Sequence, residues 1–587
     1  MLSIPDGACA QQKYVLELTR VDKGSTEAED IVARKMEFSG KQECEDFVQK
    51  QFLAKLQKKG YLAASIDSVM IGDLSGAAWV FLGPAYAWGE IKIDSSILLV
   101  SKYNDPELFQ LIGTPLSIES LVDLKENVLI KLEEHGYPFA SVKLDSTYFK
   151  EAKLFARLTA ELGPLYRIDS IRVEGKLRIS KPYLQRYLGV GGGELYQRSK
   201  LDQVSSRLAS LDFLKESRPW DMQLLGTGSA LNLYLDPKKN NRFNLLAGLM
   251  PSNQQLGGKL LLTGEAELDL KNTFGGAEHL MLSWQQLQVQ SPRLQIGFQK
   301  PYLLNTNAGI EFAFNLLKKD SSFLTLNTTI GLSYEVNSRQ RAKILFNQFS
   351  SNLINVDTNR VRQTKKLPAY LDVSTSAIGA EINYSGTDFK FNPTKGLEFV
   401  LRMTGGIRKI SKNNAITQMK SDGLGNLFNY ASLYDTVKSA SSQFKLNGRA
   451  DFFHRLGSQA TLRTGLQGGW INGKKLFLNE VYQLGGIKTL RGFDEESIFT
   501  SEYLIATLEY RYLIGQNSYL FSFVDGAYIG QRGVSENING MLLGAGLGLS
   551  FETRSGIFTL AYAVGKKTDL PINFKESKIH FGFVSLF

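Results

Sequence analysis

From residue 239 to the end of the chain, polar and apolar residues alternate in long runs, and this pattern constrains the fold more than any other feature. In 444–452, Lys445, Asn447, Arg449 and Asp451 fall on one face of an extended chain, while Phe444, Leu446, Gly448, Ala450 and Phe452 fall on the other. In 503–512, Tyr503, Ile505, Thr507, Glu509 and Arg511 alternate with Leu504, Ala506, Leu508, Tyr510 and Tyr512. A charged face backed by an oily one, repeated over strands of about 9–14 residues, fits a sheet with a wet interior and a lipid-facing exterior. A soluble sandwich alternates in the same way but seldom sustains such strands, the usual length being about five or six residues. Mean hydropathy is −0.15, and no run approaches the roughly 18–20 apolar residues of a spanning helix. That excludes a helical membrane protein and leaves a transmembrane β-barrel open. Aromatic residues at 11%, with 54 Gly against 15 Pro, argue for strands and tight turns and against disorder.

Sixteen strands are predicted, beginning near residues 241, 257, 276, 292, 307, 323, 340, 373, 396, 440, 459, 501, 518, 541, 555 and 577. The gaps after strands seven, nine and eleven are the longest, at 349–372, 409–439 and 471–500, and all three lie on one side of an up-and-down barrel. The opposite gaps are short and rich in turn residues, among them Asn392–Gly396, Gly457-Ser458 and Gly515–Asn517. Long outer loops and short periplasmic turns are the signature of an outer-membrane barrel. An even count returns the last strand, Ile579–Phe587, to the periplasmic side, with the domains that precede the barrel.

Residues 11–238 follow a different grammar. Lys59-Gly60-Tyr61, followed by Ala64-Ser65 and Asp67, recurs as His135-Gly136-Tyr137, followed by Ala140-Ser141 and Asp145. Gly83-Pro84 with Tyr86, then Ile91 and Ile93, recurs as Gly163-Pro164 with Tyr166, then Ile171 and Val173. Two markers sharing a period of about 76–80 residues indicate duplicated domains. A helix-period stripe, Leu121, Leu124, Val128 and Leu132, precedes the second Gly-Tyr marker, and another runs Leu201, Val204, Leu208 and Leu211. Short strands follow, such as Leu154–Leu162 and Ile168–Val173. The expected organisation is three α+β domains at 11–84, 85–163 and 164–238, with helices closing at Gly60 and Gly136 in left-handed C-caps. Gly189–Gly193 lies between two helices with no Lys-Ser/Thr behind it, so it reads as a loop and not as a phosphate cradle.

Chemistry-bearing residues are sparse. Cys9 and Cys44 are the only thiols, which excludes a disulfide framework and a thiolate metal site. His135, His279, His454 and His580 are scattered, without metal-ligand spacing. The net charge of +10 is mild for 587 residues, and no polybasic tract marks a nucleic-acid binder. Ala8-Cys9-Ala10 before Gln11 looks like the end of a secretory signal peptide whose charged and apolar regions are missing, so residues 1–10 read as the remnant of one. A lipidated Cys9 is the other reading, with Asp6 standing where an apolar residue is expected. Both point to export.

Taken together, the chain resembles the BamA/TamA outer-membrane assembly factors, which join polypeptide-transport-associated (POTRA) domains to a sixteen-stranded barrel. The most specific element is Leu484-Gly485-Gly486 followed by Leu490-Arg491-Gly492-Phe493. It is similar to the family's Gly-Gly…Arg-Gly-Phe motif on the long sixth outer loop, and the strand count independently places it in loop six. Asn392–Gly396, Gln299–Tyr302, Leu508–Arg511 and Phe523–Gly526 add to the resemblance. One departure is Gly526, which follows Asp525 directly where the family often has its Gly two residues on. Independently of the family, Arg491 in a loop folded into a barrel lumen would be a poorly solvated cation in need of an anion. Glu509 lies on the lumen face of strand twelve and Asp525 on strand thirteen. Gly492 lets backbone approach closely, and Phe493 fills space.

The resemblance implies α+β periplasmic repeats followed by an integral, antiparallel transmembrane barrel at 239–587. It implies a weak seam between the first strand, with Arg242, Phe243, Asn244 and Leu245, and the last, with Phe581, Gly582, Phe583 and Phe587. The seam would open and template an incoming strand, with no bond made or broken, so no catalytic residue and no cofactor is expected. The implied partners are unfolded outer-membrane clients such as autotransporters and the lipid bilayer itself, with a role in lipid traffic, and no nucleic acid. Three periplasmic domains favour the TamA-like branch, whose members pair with a TamB-like protein anchored in the inner membrane. The alternative within the family is a two-partner secretion transporter that exports one dedicated substrate through the pore. Such transporters usually carry two periplasmic domains and a plug helix. A passive porin would lack residues 11–238.

Overall fold

The computed structural model describes residues 14–22, 35–101, 111–225, 228–238, 241–251, 260–286, 291–337, 339–389, 392–421, 426–473, 475–532, 537–553, 556–567, 571 and 573–584. The signal-peptide remnant with Cys9, and Phe587, lie outside the described residues. The chain forms two compact units. One takes in residues 1–172, 190–207 and 219–233, and the other 173–189, 208–218 and 234–587.

In the first unit, strands Tyr14–Arg20 and Ser75–Phe81 pair in parallel at the centre of a four-stranded sheet, flanked by Lys35–Phe38 and Ser65–Ile71. Helical residues 41–58 bury Cys44, Phe47, Phe52 and Leu56 in the core of this domain. The same plan recurs with Ala87–Ile93 parallel to Lys153–Glu161, and Ser141–Lys150 antiparallel at the edge. Its long helix, Ile118–Glu134, starts in a capping box. Ser120 N–H donates to Ser117 Oγ at 3.0 Å, and Ser117 N–H donates to Ser120 Oγ at 3.1 Å. Leu124, Val128 and Leu132 of the stripe are buried in the domain's core.

A third sheet has the order Leu214–Leu225, Gly228–Pro237, Arg167–Glu174, Glu194–Leu195. Here the stripe Leu201–Leu211 is not one helix. It breaks into Arg198–Asp202 and Val204–Ala209, with Leu211 beyond the second. Ser206 Oγ donates to the Gln203 carbonyl at 2.8 Å, the local side-chain competition by which serines weaken helices.

The duplicated sequence markers meet each other at the joints of the first unit. Gly60 (φ +91°) and Gly136 (φ +98°) close their helices in left-handed conformation. The Gly60 carbonyl accepts Tyr86 N–H at 2.8 Å, and the Gly136 carbonyl accepts Tyr166 N–H at 2.8 Å. The tyrosines' own carbonyls accept Leu116 N–H at 2.8 Å and Tyr196 N–H at 3.0 Å. A Cβ on Gly60 would stand 2.4 Å from the Tyr86 oxygen, so the joint requires glycine on two counts. Lys58–Glu119 at 2.6 Å and Arg198–Glu133 at 3.0 Å brace the two joints from outside.

In the second unit, sixteen strands form one antiparallel sheet in chain order. They are β1 (Arg242–Pro251), β2 (Leu260–Lys271), β3 (His279–Gln286), β4 (Arg293–Lys300), β5 (Ala308–Lys319), β6 (Phe323–Asn337), β7 (Gln340–Leu353) and β8 (Asp372–Ser385), then β9 (Gly396–Ser411), β10 (Ala440–Arg455), β11 (Ala460–Ile471), β12 (Glu502–Leu513), β13 (Tyr519–Arg532), β14 (Asn537–Thr553), β15 (Gly556–Lys567) and β16 (Lys578–Val584). Outward residues such as Ile330, Ile344, Phe346, Ile378 and Leu504 are exposed apolar groups, as a lipid-facing surface needs. Inward residues form ladders of ion pairs between neighbouring strands. Lys343 bridges Glu311 and Glu381, and Glu381 also accepts from Arg402. Among the described residues, no ladder joins β1 to β16. Both are edges of the sheet.

Candidate functional site: loop six and the seam

Loop six, between β11 and β12, folds inward. Its strands Tyr482–Leu484 and Ile498–Thr500 pair as a short hairpin. Leu484, Leu490 and Phe493 pack against Ile505, Ala527 and Leu542 of the barrel wall. The turn between the hairpin strands is self-braced. Gly486 N–H faces the carbonyls of Leu490 at 3.1 Å and Phe493 at 3.2 Å, and Thr489 Oγ1 accepts Gly485 N–H at 2.9 Å.

This turn delivers Arg491 to the wall. Its Nε and Nη2 each donate to one oxygen of Asp525 at 2.7 Å, and its Nη1 donates to Glu509 at 2.5 Å. The guanidinium lies 3.5 Å over the Phe523 ring. Arg491 is 7% exposed, Glu509 3% and Asp525 0%, so the pairs are dry and charge-assisted. Gly492 (φ +91°) then runs against β15. A Cβ there would stand 2.8 Å from Gly565 N, and one on Gly565 would stand 2.4 Å from the Gly492 oxygen. Two facing glycines allow loop and wall to touch through backbone alone.

The site extends beyond the motif. Glu509 also accepts from Arg511 Nε at 2.8 Å and Arg463 Nη1 at 3.3 Å, and Arg463 continues to Asp451 at 2.7 Å. Arg511 Nη1 donates to Asn392 Oδ1 at 3.0 Å, and Asn392, 1% exposed, donates onward to the Gln516 carbonyl at 3.0 Å. The periplasmic turn Asn392–Gly396 is thus tied to the same network as loop six.

Sequence reasoning missed two further contacts. Glu480, just before the hairpin, takes a bidentate pair from Arg408 at 2.7 and 2.5 Å and accepts Phe477 N–H at 2.8 Å. Phe477 joins Val361, Ile416, Tyr430 and Leu433 of the neighbouring outer loops in one apolar cap. The inward parity of Arg408 was the available signal, but its partner lies in irregular chain. His580, one of the scattered histidines, accepts Gly492 N–H on Nε2 at 3.0 Å.

At the seam, β1 pairs with β2 over Arg242–Pro251, and β16 pairs with β15 over Lys578–Val584. Phe243, Leu245, Ile579 and Phe581 are all exposed outward. Arg242 is half-buried and Gly582 sits in the β15–β16 ladder opposite Thr559. Asn244 and Phe583 lie in the two strands, but their side chains are outside the described residues.

The Omp85 superfamily domain profile matches residues 272–584. The chain belongs to the Omp85 superfamily. The POTRA profile, a surface antigen variable number repeat, matches residues 166–219, within the third α+β domain. Among solved structures, CdiB from Escherichia coli is similar over 92% of this chain and 96% of its own, at 14% identity and a TM-score of 0.51, a likeness of fold. CdiB from Acinetobacter baumannii matches over 85% and 89% at 17% identity and a TM-score of 0.49. BamA from Haemophilus ducreyi lacking POTRA domains 1-3 matches over 85% and 99% at 15% identity and a TM-score of 0.47. No curated protein sequence matches. As an Omp85 barrel preceded by POTRA structure, this is an integral outer-membrane protein with its N-terminal region in the periplasm. Omp85 proteins act on protein substrates in the membrane, generally as transporters or assembly factors and not as enzymes.

Proposed function

We propose that this Omp85 protein inserts client β-barrel or autotransporter chains into the outer membrane through the β1–β16 seam, in the manner of the TamA-like branch. The observation that carries the reading is that, among the described residues, β1 and β16 stand at the two ends of the strand order with no ladder between them, in a sheet whose other neighbours are all laddered. In hydrocarbon, each unpaired backbone N–H or C=O costs roughly several kcal/mol. Such edges therefore have a standing affinity for any strand that can complete their hydrogen bonds. A client strand adds to one edge, folds its next strand against the first, and leaves when its own edges close. The three periplasmic α+β domains deliver the unfolded chain, and a TamB-like protein docks on them from the inner membrane. Lipid movement at the same opening accompanies the work.

The test is a reversible lock. One cysteine in 243–248 and one in 580–585 should form a disulfide across the seam and abolish client insertion, with activity restored by reductant. A locked barrel that inserts clients as well as the reduced one would remove lateral opening. Transport through the lumen would then be the better account.

A further inference from the structure

This inference rests on reading the β1–β16 junction as the working seam, and concerns what holds that junction when no client is present. Among the described residues, β16 has a backbone ladder on one side only. Loop six nevertheless grips it at three points. His580 Nε2 accepts Gly492 N–H at 3.0 Å, Lys578 Nζ donates to Asp494 at 2.7 Å, and Ile487 Cδ1 lies 3.2 Å from where a Cβ on Gly582 would stand. Because Nε2 accepts, the imidazole carries its proton on Nδ1. Two residues beyond Asp494, Glu496 pairs with Arg293 Nη2 at 2.6 Å. Arg293 is on β4, three strands in from the β1 edge. Residues 487–496 therefore tie β16 to β4, on the other side of the seam and three strands in from its edge, while Arg491 anchors the middle of the segment to β12 and β13.

We propose that residues 487–496 of loop six are a strap across the seam. They hold β16 where, among the described residues, no backbone ladder joins it to β1, so that displacement of loop six and release of β16 are one event. His580 acts as a positioning residue: it ties the last strand to the loop and touches no client. Among the described residues, the last strand is tied to loop six and to β15. A client that displaces the strap, or a partner that pulls on loop six, opens the edge that the client needs.

The experiment uses the full chain in lipid nanodiscs, with Cys9 and Cys44 replaced by alanine and spin labels at Leu245→Cys and Ile579→Cys, both outward-facing. Electron–electron resonance then reads the distance across the seam. His580→Phe combined with Glu496→Gln should raise the wide-seam population about tenfold, in line with the loss of two modest polar contacts. His580→Gln with Glu496 intact should retain the parental distribution, because its amide oxygen can accept Gly492 N–H. An unchanged distribution in the His580→Phe/Glu496→Gln variant overturns the strap, and a His580→Gln variant wider than the parent overturns the acceptor role of His580. Should the Phe variant fail to give a heat-modifiable barrel, Lys578→Met with Glu496→Gln removes the charged contacts at both ends, and the same widening is required. Client insertion is measured separately. A wider seam with unchanged insertion leaves the strap standing and sinks the insertase reading. An unchanged seam alongside disulfide-sensitive insertion does the reverse.

Discussion

Arg491→Ala should loosen loop six because of what it leaves behind. The wild-type guanidinium makes three charge-assisted hydrogen bonds to two buried carboxylates and covers the Phe523 ring. After truncation, Glu509 keeps Arg463 and Arg511 as partners. Asp525 keeps Thr507 Oγ1 at 2.9 Å and the residue-491 N–H at 3.3 Å, both neutral donors. The orphan is therefore Asp525, fully buried and without its cation. Removing one member of a buried pair costs about 3–5 kcal/mol, most of it from the charge left unpaired. Removing both members costs less than the sum of the two single changes, since no buried charge is stranded. Arg491→Ala should thus be severe, Arg491→Ala/Asp525→Asn milder than additivity predicts, and Glu509→Gln intermediate, because it leaves Arg511 without a carboxylate but with the neutral Asn392 amide and the Phe453 and Tyr519 rings. The assay is the temperature at which the folded barrel band converts to the unfolded one on a gel, with hydrogen exchange of peptide 484–496 reporting the loop directly. Parental melting and parental protection in Arg491→Ala would refute the reasoning. Strict additivity of the double change would show that the stranded charge is not the source of the cost.

Other outcomes follow from the rest of the molecule. Residues 11–238 should express as a monomeric α+β protein with a cooperative melt, because the Gly60–Tyr86 and Gly136–Tyr166 joints lie inside it. A disordered circular dichroism spectrum would remove that expectation. Arg20, helped by the Leu82 N–H, holds the Asp22 carboxyl well below the usual carboxylate range. A lowered folded-state pKa stabilises above the unfolded value and is lost as pH falls, so the stability gap between wild type and Asp22→Asn should be full above about pH 4 and narrow below it. A gap that is flat with pH would contradict this. Glu480→Gln strands the buried Arg408 and should speed hydrogen exchange in the outer-loop helices at 358–364 and 430–436, while exchange in β1–β5 stays parental. Unchanged exchange in those helices would show that the apolar cap holds without the ion pair.

Much of the barrel was legible in the sequence because a membrane forces a strict period of two. The predicted starts of strands nine and ten, at 396 and 440, coincide with the observed ones, since a one-residue slip would have turned Arg449 and Asp451 into lipid. Outer strand ends were less legible. β7 runs to Leu353 and β9 to Ser411, a few residues into the predicted gaps, because alternation that continues above the membrane meets no change of solvent in the sequence. Arg491, Glu509 and Asp525 could be named from parity and the loop-six motif, since a cation in a lumen has few possible partners. What one-dimensional pattern could not supply was any contact between a strand and irregular chain. Glu480 reaching Arg408, Asn392 reaching Arg511 and Gly492 reaching His580 join residues 72, 119 and 88 positions apart, and no period relates a loop to the wall it lands on. The two Gly-Tyr markers make the same point from the other side. Sequence alone determined that they repeat, and only the folded chain showed that each helix-ending glycine accepts its hydrogen bond from the tyrosine that begins the next domain, because left-handed backbone leaves that carbonyl free and uncrowded.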